Sequence, residues 1–253
     1  MNFNNQKKIK TFSNGYTKAV TLSFDDGIQQ DIRLVELLNR YDIKCTFNIN
    51  YGLLNHDDYF EYKGIKVYRI NSNIMNKLYQ GHEIATHGYL HPDISKLDIQ
   101  QKKLEIELGK KSLEKHTKKA VLGMAYPFGA VDQEMIQIMK KCGIQYGRMA
   151  ESSLSYDLPN DVFHWKPTIH CFDSKVNDVI DDFLSRKCNH AQLLFLWGHS
   201  YECDIDDNWV FIENIFRKLS SYKDIWFCTN IDIIKDINKK DLQKTFSCDI
   251  LEK

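Results

Sequence analysis

What this sequence lacks narrows it before anything it contains. It has no C-x-x-C pair, and its seven cysteines (45, 142, 171, 188, 203, 228 and 248) are scattered and odd in number. A disulfide framework or a structural zinc site needs paired, closely spaced cysteines, so neither is expected. Most of these residues read as small buried hydrophobes in a reducing compartment. No charge of either sign is in excess, since 34 Lys and Arg balance 34 Asp and Glu. That argues against nucleic-acid and membrane-surface partners, which need a basic footprint. Residues 1–10 are polar and rich in Asn and Lys, without the apolar stretch of a secretory signal, and no run reaches bilayer-spanning length. A cytoplasmic location is the expectation. There is also no internal repeat and no low-complexity linker.

What remains is a chain able to build one large core. Its 253 residues are 43% hydrophobic and 12% aromatic, and α/β barrels reach this length as single domains. The apolar run at 19–24 is β-branched and aromatic, the pattern of a buried strand. Leu34, Leu37, Leu38 and Tyr41 then recur at helical spacing. Strands are expected at 43–49, 82–86, 121–125, 145–148, 163–169, 192–197 and 225–228, with Pro167 weakening the fifth of these. Helical stretches fall between most of them, at 73–80, 98–117, near Met135–Cys142, near Val176–Phe183, near Ile212–Leu219 and from Asp232 onward. Residues 51–70 read as a hairpin insertion at a rim. Alternation of strand and helix predicts parallel β/α units, in a barrel or a doubly wound sheet.

The unusual polar residues follow strand ends. Asp25 and Asp26 close the first strand, and Gly27 turns the chain. His87 follows another strand, Tyr126-Pro127-Phe128-Gly129 another, and His199 the late apolar one. In a parallel barrel all these ends share one face, where active sites lie. The two adjacent carboxylates either form an ordinary strand-end turn or need a cation beside them to offset repulsion. His87 and His91 at i, i+4 share a face if they lie on a helical turn, and are either solvated or a metal pair; Pro92 stops such a turn at His91. His82-Glu83 does not continue as a zincin motif, and His82 reads as a hydrogen-bonded histidine supporting the sheet. Together Asp26, His87 and His91 supply one carboxylate and two imidazoles, leaving room for water at a catalytic metal. Asp25 could accept a proton and His199 donate one, the machinery of metal-assisted hydrolysis.

Ser23-Phe24-Asp25-Asp26-Gly27, Thr86-His87-x-x-x-His91-Pro92, Tyr126-Pro127-Phe128-Gly129 and Leu196-Trp197-Gly198-His199 resemble the ordered motifs of the polysaccharide deacetylase family. It is also called the NodB-homology family or carbohydrate esterase family 4. The resemblance covers residues 19–230. It implies a distorted (β/α)7 barrel in a single domain, with residues 1–18 a lead-in, 19–236 the barrel and 237–253 a tail. It implies a divalent metal, Zn2+ foremost with Co2+ or Ni2+ as alternatives, held by Asp26, His87 and His91. Asp25 is then the general base and His199 the general acid, with a backbone N–H, that of Phe128, facing the oxyanion. Tyr126, Pro127, Phe128, Trp165, Trp197 and Arg148 are the expected substrate and oxyanion residues.

Two departures stand out. The family's third motif often carries an Arg that pairs with the base, and Ala125 stands there. Arg148 either supplies that charge or is an ordinary surface residue. The fourth motif usually places Asp before a Trp, to tune the acid; here His164 precedes Trp165. Asp161 and Asp173 are nearby in sequence, and Glu202 and Asp204 either shape polar contacts or are rim charges. Trp197 either walls a pocket or packs in the core. The expected reaction is removal of an acetyl group from an N-acetylated sugar of the N-acetylglucosamine type, free or conjugated. The alternatives are a metal-dependent amidase of a non-sugar small molecule and an inactive binding domain on the same barrel. The partner is thus a small-molecule or saccharide substrate.

Overall fold

A computed structural model describes residues 10–187, 189–206 and 208–251, with side chains described through residue 240. In chain order the elements are β1 (Lys18–Asp26), α1 (Asp31–Arg40), β2 (Thr46–Ile49), β3 (Tyr59–Tyr62), β4 (Ile65–Tyr68), α2 (Ser72–Leu78), β5 (Glu83–Thr86), α3 (Ile99–Thr117), β6 (Gly123–Ala125), α4 (Gln133–Lys141), β7 (Tyr146–Arg148), β8 (Ile169–His170), α5 (Val176–Ser185), β9 (Gln192–Gly198), α6 (Asn208–Ser220), β10 (Ile225–Cys228) and α7 (Asn230–Leu251). The large sheet is parallel and runs β7-β6-β5-β2-β1-β9-β8, with β10 also on β1.

β1 organises the sheet. Along one edge it pairs with β9 from Lys18 to Phe24. Along the other it pairs with β10 through Lys18–Thr21 and with β2 through Ser23–Asp26. Its side chains alternate, as a strand requires. Val20, Leu22 and Phe24 join the core packed under α1, α5 and α6, beside Leu34, Ile180 and Phe216. Ala19 faces inward to a second core with Leu193, Phe195, Tyr146 and Trp165. Continuing along that inner face, Thr21 Oγ donates to Asn230 Oδ1 at 2.8 Å and Ser23 accepts from Asn48 at 2.7 Å. The inner face becomes polar towards the strand's C-terminal end and finishes at Asp25.

The sheet curls until its two ends nearly meet. An irregular segment bridges β7 and β8: Gly147 N–H donates to Val162 O, Trp165 N–H to Gly147 O and Met149 N–H to Trp165 O. The sequence reading expects a full strand at 163–169; β8 keeps only Ile169 and His170. Pro167 has no N–H for a ladder, which accounts for the shortening. The result is the distorted seven-position α/β barrel expected, curled and incompletely closed.

The insertion at 51–70 is the two-stranded antiparallel hairpin β3–β4. Beyond β4 the chain continues as an antiparallel partner of the turn after β1. Gln29 N–H donates to Tyr68 O and Ile70 N–H to Gly27 O, with a bridge between Ile28 and Arg69. The hairpin is therefore clamped onto the Asp25-Asp26-Gly27 turn. Gly27 has φ +67, and a Cβ there would press on Ile49 at 3.1 Å, so glycine serves both the turn and the close approach. Cys45, Cys171, Cys203 and Cys228 are buried free thiols, and Cys142 is half-buried. No helix among the described residues is long and apolar enough to cross a membrane.

Candidate active site

The C-terminal ends of β1, β5, β6, β7 and β9 surround a cavity of about 510 Å³. Asp25, Asp26, His87, His91, Tyr126, Phe128, Arg148, Trp197 and His199 all line it. These residues come from positions 25 to 199, and the common polarity of the parallel strands is what gathers them.

Asp25 is 2% exposed. The Arg148 guanidinium donates to both of its carboxylate oxygens, and Asn48 Nδ2, its register partner on β2, donates to Oδ1 at 2.8 Å. His87 Nε2 and His199 Nε2 each lie 3.9 Å from Oδ2. Burial disfavours the ionised carboxylate, but the Arg148 guanidinium, helped by His87 and His199, outweighs it and holds the group below the usual carboxylate range. Arg148 is itself 1% exposed and stacks on Trp197, its guanidinium carbon 4.6 Å from the ring centroid. Of the two readings the sequence leaves open, Arg148 is the buried ion-pair partner and not a surface residue.

Asp26 points away from that pair. It has φ +87, a left-handed conformation that Asp tolerates better than most residues. Arg69 Nη1 donates to its backbone oxygen at 2.7 Å. The same nitrogen is 2.9 Å from Oδ1 but off hydrogen-bonding geometry, so Oδ1 is buried without a donor. Burial again opposes charge, and Arg69 and the three histidines override it to depress this carboxyl strongly.

His87 and His91 do not lie on a helical turn, as their spacing suggests. They sit in the loop after β5, and His91 has φ +61. That left-handed residue folds the second ring back over the first, with the two Nε2 atoms 3.2 Å apart. His87 Nδ1 is 2.8 Å from Ala125 O. A carbonyl only accepts, so Nδ1 carries the hydrogen and Nε2 presents a lone pair. Burial, partly offset by Asp25, brings His87 down to about 4 and keeps it neutral. The ligand atoms of Asp26, His87 and His91 all lie within 4.8 Å of one another. One undonated carboxylate oxygen and converging imidazole nitrogens fit the donor set of a divalent ion with open positions for water.

His199 closes the cavity from β9. Its ring stacks on Tyr201, with centroids 4.9 Å apart and planes at 23°. Its Nδ1 and backbone N lie 3.2 and 3.0 Å from Glu202 Oε2. Burial opposes protonation, but Glu202, Asp25 and Asp26 raise its pKa overall.

The remaining expected residues divide. Trp197 is half-buried at the cavity wall, and its indole N–H has no partner. Phe128 is 68% exposed at the rim, with φ +58 and its ring 5.0 Å from that of His91. Tyr126 lines the floor, but its hydroxyl donates to Phe163 O at 2.7 Å. Pro127 is buried in the 3-10 turn beside it. Trp165 departs from expectation: it is 3% exposed in the inner core, against Tyr146 and Phe195, and does not line the cavity. His82 departs too, for both ring nitrogens lack hydrogen-bond partners, and the ring packs edge-on against Phe47. Asp161 is taken by His164 at 2.7 Å, and Asp173 accepts from Lys175 N–H, so neither serves His199.

Sequence reasoning did not single out Arg69, Asn48 or His170. Arg69 and Asn48 carried a usable signal: one lies in the insertion expected at the rim, and the other is near the end of the strand expected at 43–49. Leu53, Phe60 and Leu90 join Phe128 in an apolar lip around the cavity.

Comparison with known proteins agrees with this geometry. The model of the family described as polysaccharide deacetylase matches residues 13–147, which hold four of the five central polar residues. The peptidoglycan-N-acetylglucosamine deacetylase PgdA of Listeria monocytogenes is 24% identical over 122 residues, covering 47% of this chain and 23% of PgdA. The match thus spans less than a quarter of that relative. Among solved structures, peptidoglycan deacetylase PdaC from Bacillus subtilis superposes with a TM-score of 0.57 at 16% identity, covering 90% of this chain and 96% of that one. A family 4 carbohydrate esterase from Streptomyces lividans, in complex with acetate, gives 0.54 at 17% identity, covering 83% and 92%. At these identities the superpositions speak for the fold alone. The curled barrel, the strand-end residues and the family match over more than half of the chain lead to one assignment: this chain belongs to the polysaccharide deacetylase family.

Proposed function

We propose that this protein is a metal-dependent deacetylase that hydrolyses the N-acetyl amide of a GlcNAc-type saccharide or conjugate. The observation that carries the reading is the convergence of Asp26, His87 and His91, ligand atoms within 4.8 Å, beside Asp25 and His199 in one cavity. Asp26 Oδ1, His87 Nε2 and His91 Nε2 would hold a divalent ion, Zn2+ foremost. Such an ion acts as a Lewis acid and lowers the pKa of water.

Asp25, kept ionised by Arg148, accepts a proton from the attacking water. The amide carbonyl carbon is attacked and the C–N bond breaks. His199 Nε2 delivers a proton to the departing amine nitrogen. The Phe128 backbone N–H faces the developing oxyanion. Names of relatives that act on N-acetylglucosamine in peptidoglycan support an N-acetylated sugar as the substrate.

A second reading is favoured by one feature. The lip of Leu53, Phe60, Leu90 and Phe128 is apolar, which suits an apolar substituent and hence a non-sugar amide. The test is acetate release by metal-loaded protein across N-acetylated saccharides and small N-acyl amides. Turnover of the saccharides is expected. Turnover confined to non-sugar amides would replace the first reading with the second, and no turnover of either by metal-loaded protein would leave a binding domain.

A further inference from the structure

Three side chains beside the proposed metal ligands, His170, His199 and Glu202, form a second compact cluster. Two assignments compete for it: a second metal site, or a hydrogen-bonded relay acting on His199. The hydrogen positions decide between them.

Phe172 N–H donates to His170 Nδ1 at 3.2 Å. That nitrogen must present its lone pair, so a neutral His170 carries its hydrogen on Nε2. His170 Nε2 lies 3.1 Å from Glu202 Oε2. A nitrogen that carries a proton cannot ligate a metal, whereas it can donate to a carboxylate. The same logic fixes His199. Burial disfavours charge on Glu202, but hydrogen bonds from His170 and His199 hold it ionised, and an ionised carboxylate only accepts. His199 Nδ1, at 3.2 Å, therefore donates to it. The other ring nitrogen, Nε2, is left facing Asp25 and the cavity.

We propose that Glu202 is the positioning residue of His199, and that His170 in turn fixes Glu202, through an imidazole–carboxylate–imidazole relay built on one oxygen atom. Glu202 Oε2 receives His199 N–H, His199 Nδ1–H and His170 Nε2–H together. The short turn Ser200–Asp204 sets the i, i+3 reach, and Tyr201 backs the ring from its face. The carboxylate so placed stands in for the missing Asp before Trp165, since Asp161 and Asp173 are engaged elsewhere. The relay keeps the hydrogen on Nδ1, so the proton that a protonated His199 gives up leaves from Nε2, the atom facing the cavity. This inference rests on His199 acting as the general acid.

The test pairs kinetics with imidazole 15N NMR on the metal-free full chain, so that one readout does not depend on turnover. Glu202→Gln should lower kcat by about 10²-fold with KM little changed. It should also shift the pH limb governed by His199 to lower pH, because an anion beside the imidazole is lost. Glu202→Asp should restore part of kcat. In the NMR, His199 should be protonated on Nδ1 in the wild type and a tautomer mixture in Glu202→Gln; His170→Asn should give a smaller change of the same kind. An unchanged tautomer together with wild-type kcat in Glu202→Gln would overturn the relay. So would two bound ions per chain with one lost in His170→Asn, which is the metal-site outcome. Full activity in His199→Ala would instead remove the acid assignment, while the NMR would still decide whether Glu202 holds the ring.

Discussion

Asp25 and Asp31 are buried in neighbouring layers, 2% and 0% exposed, and the protein treats them in opposite ways. Asp31 opens α1 behind the cavity. It accepts from Ser200 Oγ at 2.6 Å, Tyr79 hydroxyl at 2.6 Å and Ile28 N–H at 3.2 Å. Every donor is neutral. Burial wins over those hydrogen bonds and pushes the carboxyl up to about 7. At Asp25 burial meets a buried guanidinium and two imidazoles, and loses. Neutral donors can satisfy a buried carboxyl without keeping it charged; a cation is needed for that. The two acids therefore suit different work. Asp31 braces α1 against Tyr79 and against Ser200, next to His199. Asp25 stays ionised, the form that the proposed general base needs.

The sharpest way to break this contrast is to remove the cation. Arg148→Met should leave Asp25 as an unpaired buried carboxylate, costing about 3–5 kcal/mol of stability and raising its pKa. Turnover should fall by about 10²–10⁴-fold. Arg148→Lys should recover only part of this, since an ammonium lacks the flat guanidinium face that stacks on Trp197. Denaturant unfolding and acetate release would measure both effects, and wild-type values in Arg148→Met would dissolve the contrast.

Asp31→Asn sharpens it from the other side, through stability against pH. A carboxyl raised to about 7 when folded contributes fully below its unfolded pKa of about 3.9, and that contribution is lost as pH rises towards 7. Asp25, depressed by its partners, runs the other way: its contribution is present above about pH 3.9 and lost as pH falls. Asp31→Asn should therefore flatten the fall in stability between about pH 4 and 7, worth on the order of 1.4 kcal/mol per pH unit. Turnover should stay within a few-fold of wild type. A mutant that keeps the wild-type slope would show that Asp31 does not carry it. Tyr79→Phe, the smallest change, removes one donor to Asp31. It should cost about 1 kcal/mol in unfolding free energy and leave turnover intact; a large loss of turnover would make Asp31 part of the chemistry.

How much of this was legible in the sequence follows from how local each feature is. The strands show because their apolar runs are local, and the site's location shows because each polar residue directly follows such a run. The partner of Asp25 was readable only as an alternative. Arg148 lies 123 positions away, and nothing local to either residue says that curling brings β7 over the end of β1. The path of His91 was also hidden. Its spacing from His87 fits a helix, while the structure achieves the same convergence with one left-handed residue. Trp165 was misplaced because the irregular segment bridging β7 and β8 obscures which way its side chains alternate. Glu202 is three residues from His199, close enough to notice, yet its function depends on His170 from another strand.

The division of labour within Asp25-Asp26 is the claim on which the rest depends. It is tested most directly by measuring bound divalent metal and acetate release together in Asp25→Asn and Asp26→Ala. Asp25→Asn should retain about one divalent ion per chain and lose at least about 10²-fold in turnover, whereas Asp26→Ala should lose both metal and turnover. Undiminished turnover in Asp25→Asn, or full metal occupancy in Asp26→Ala, would contradict the account.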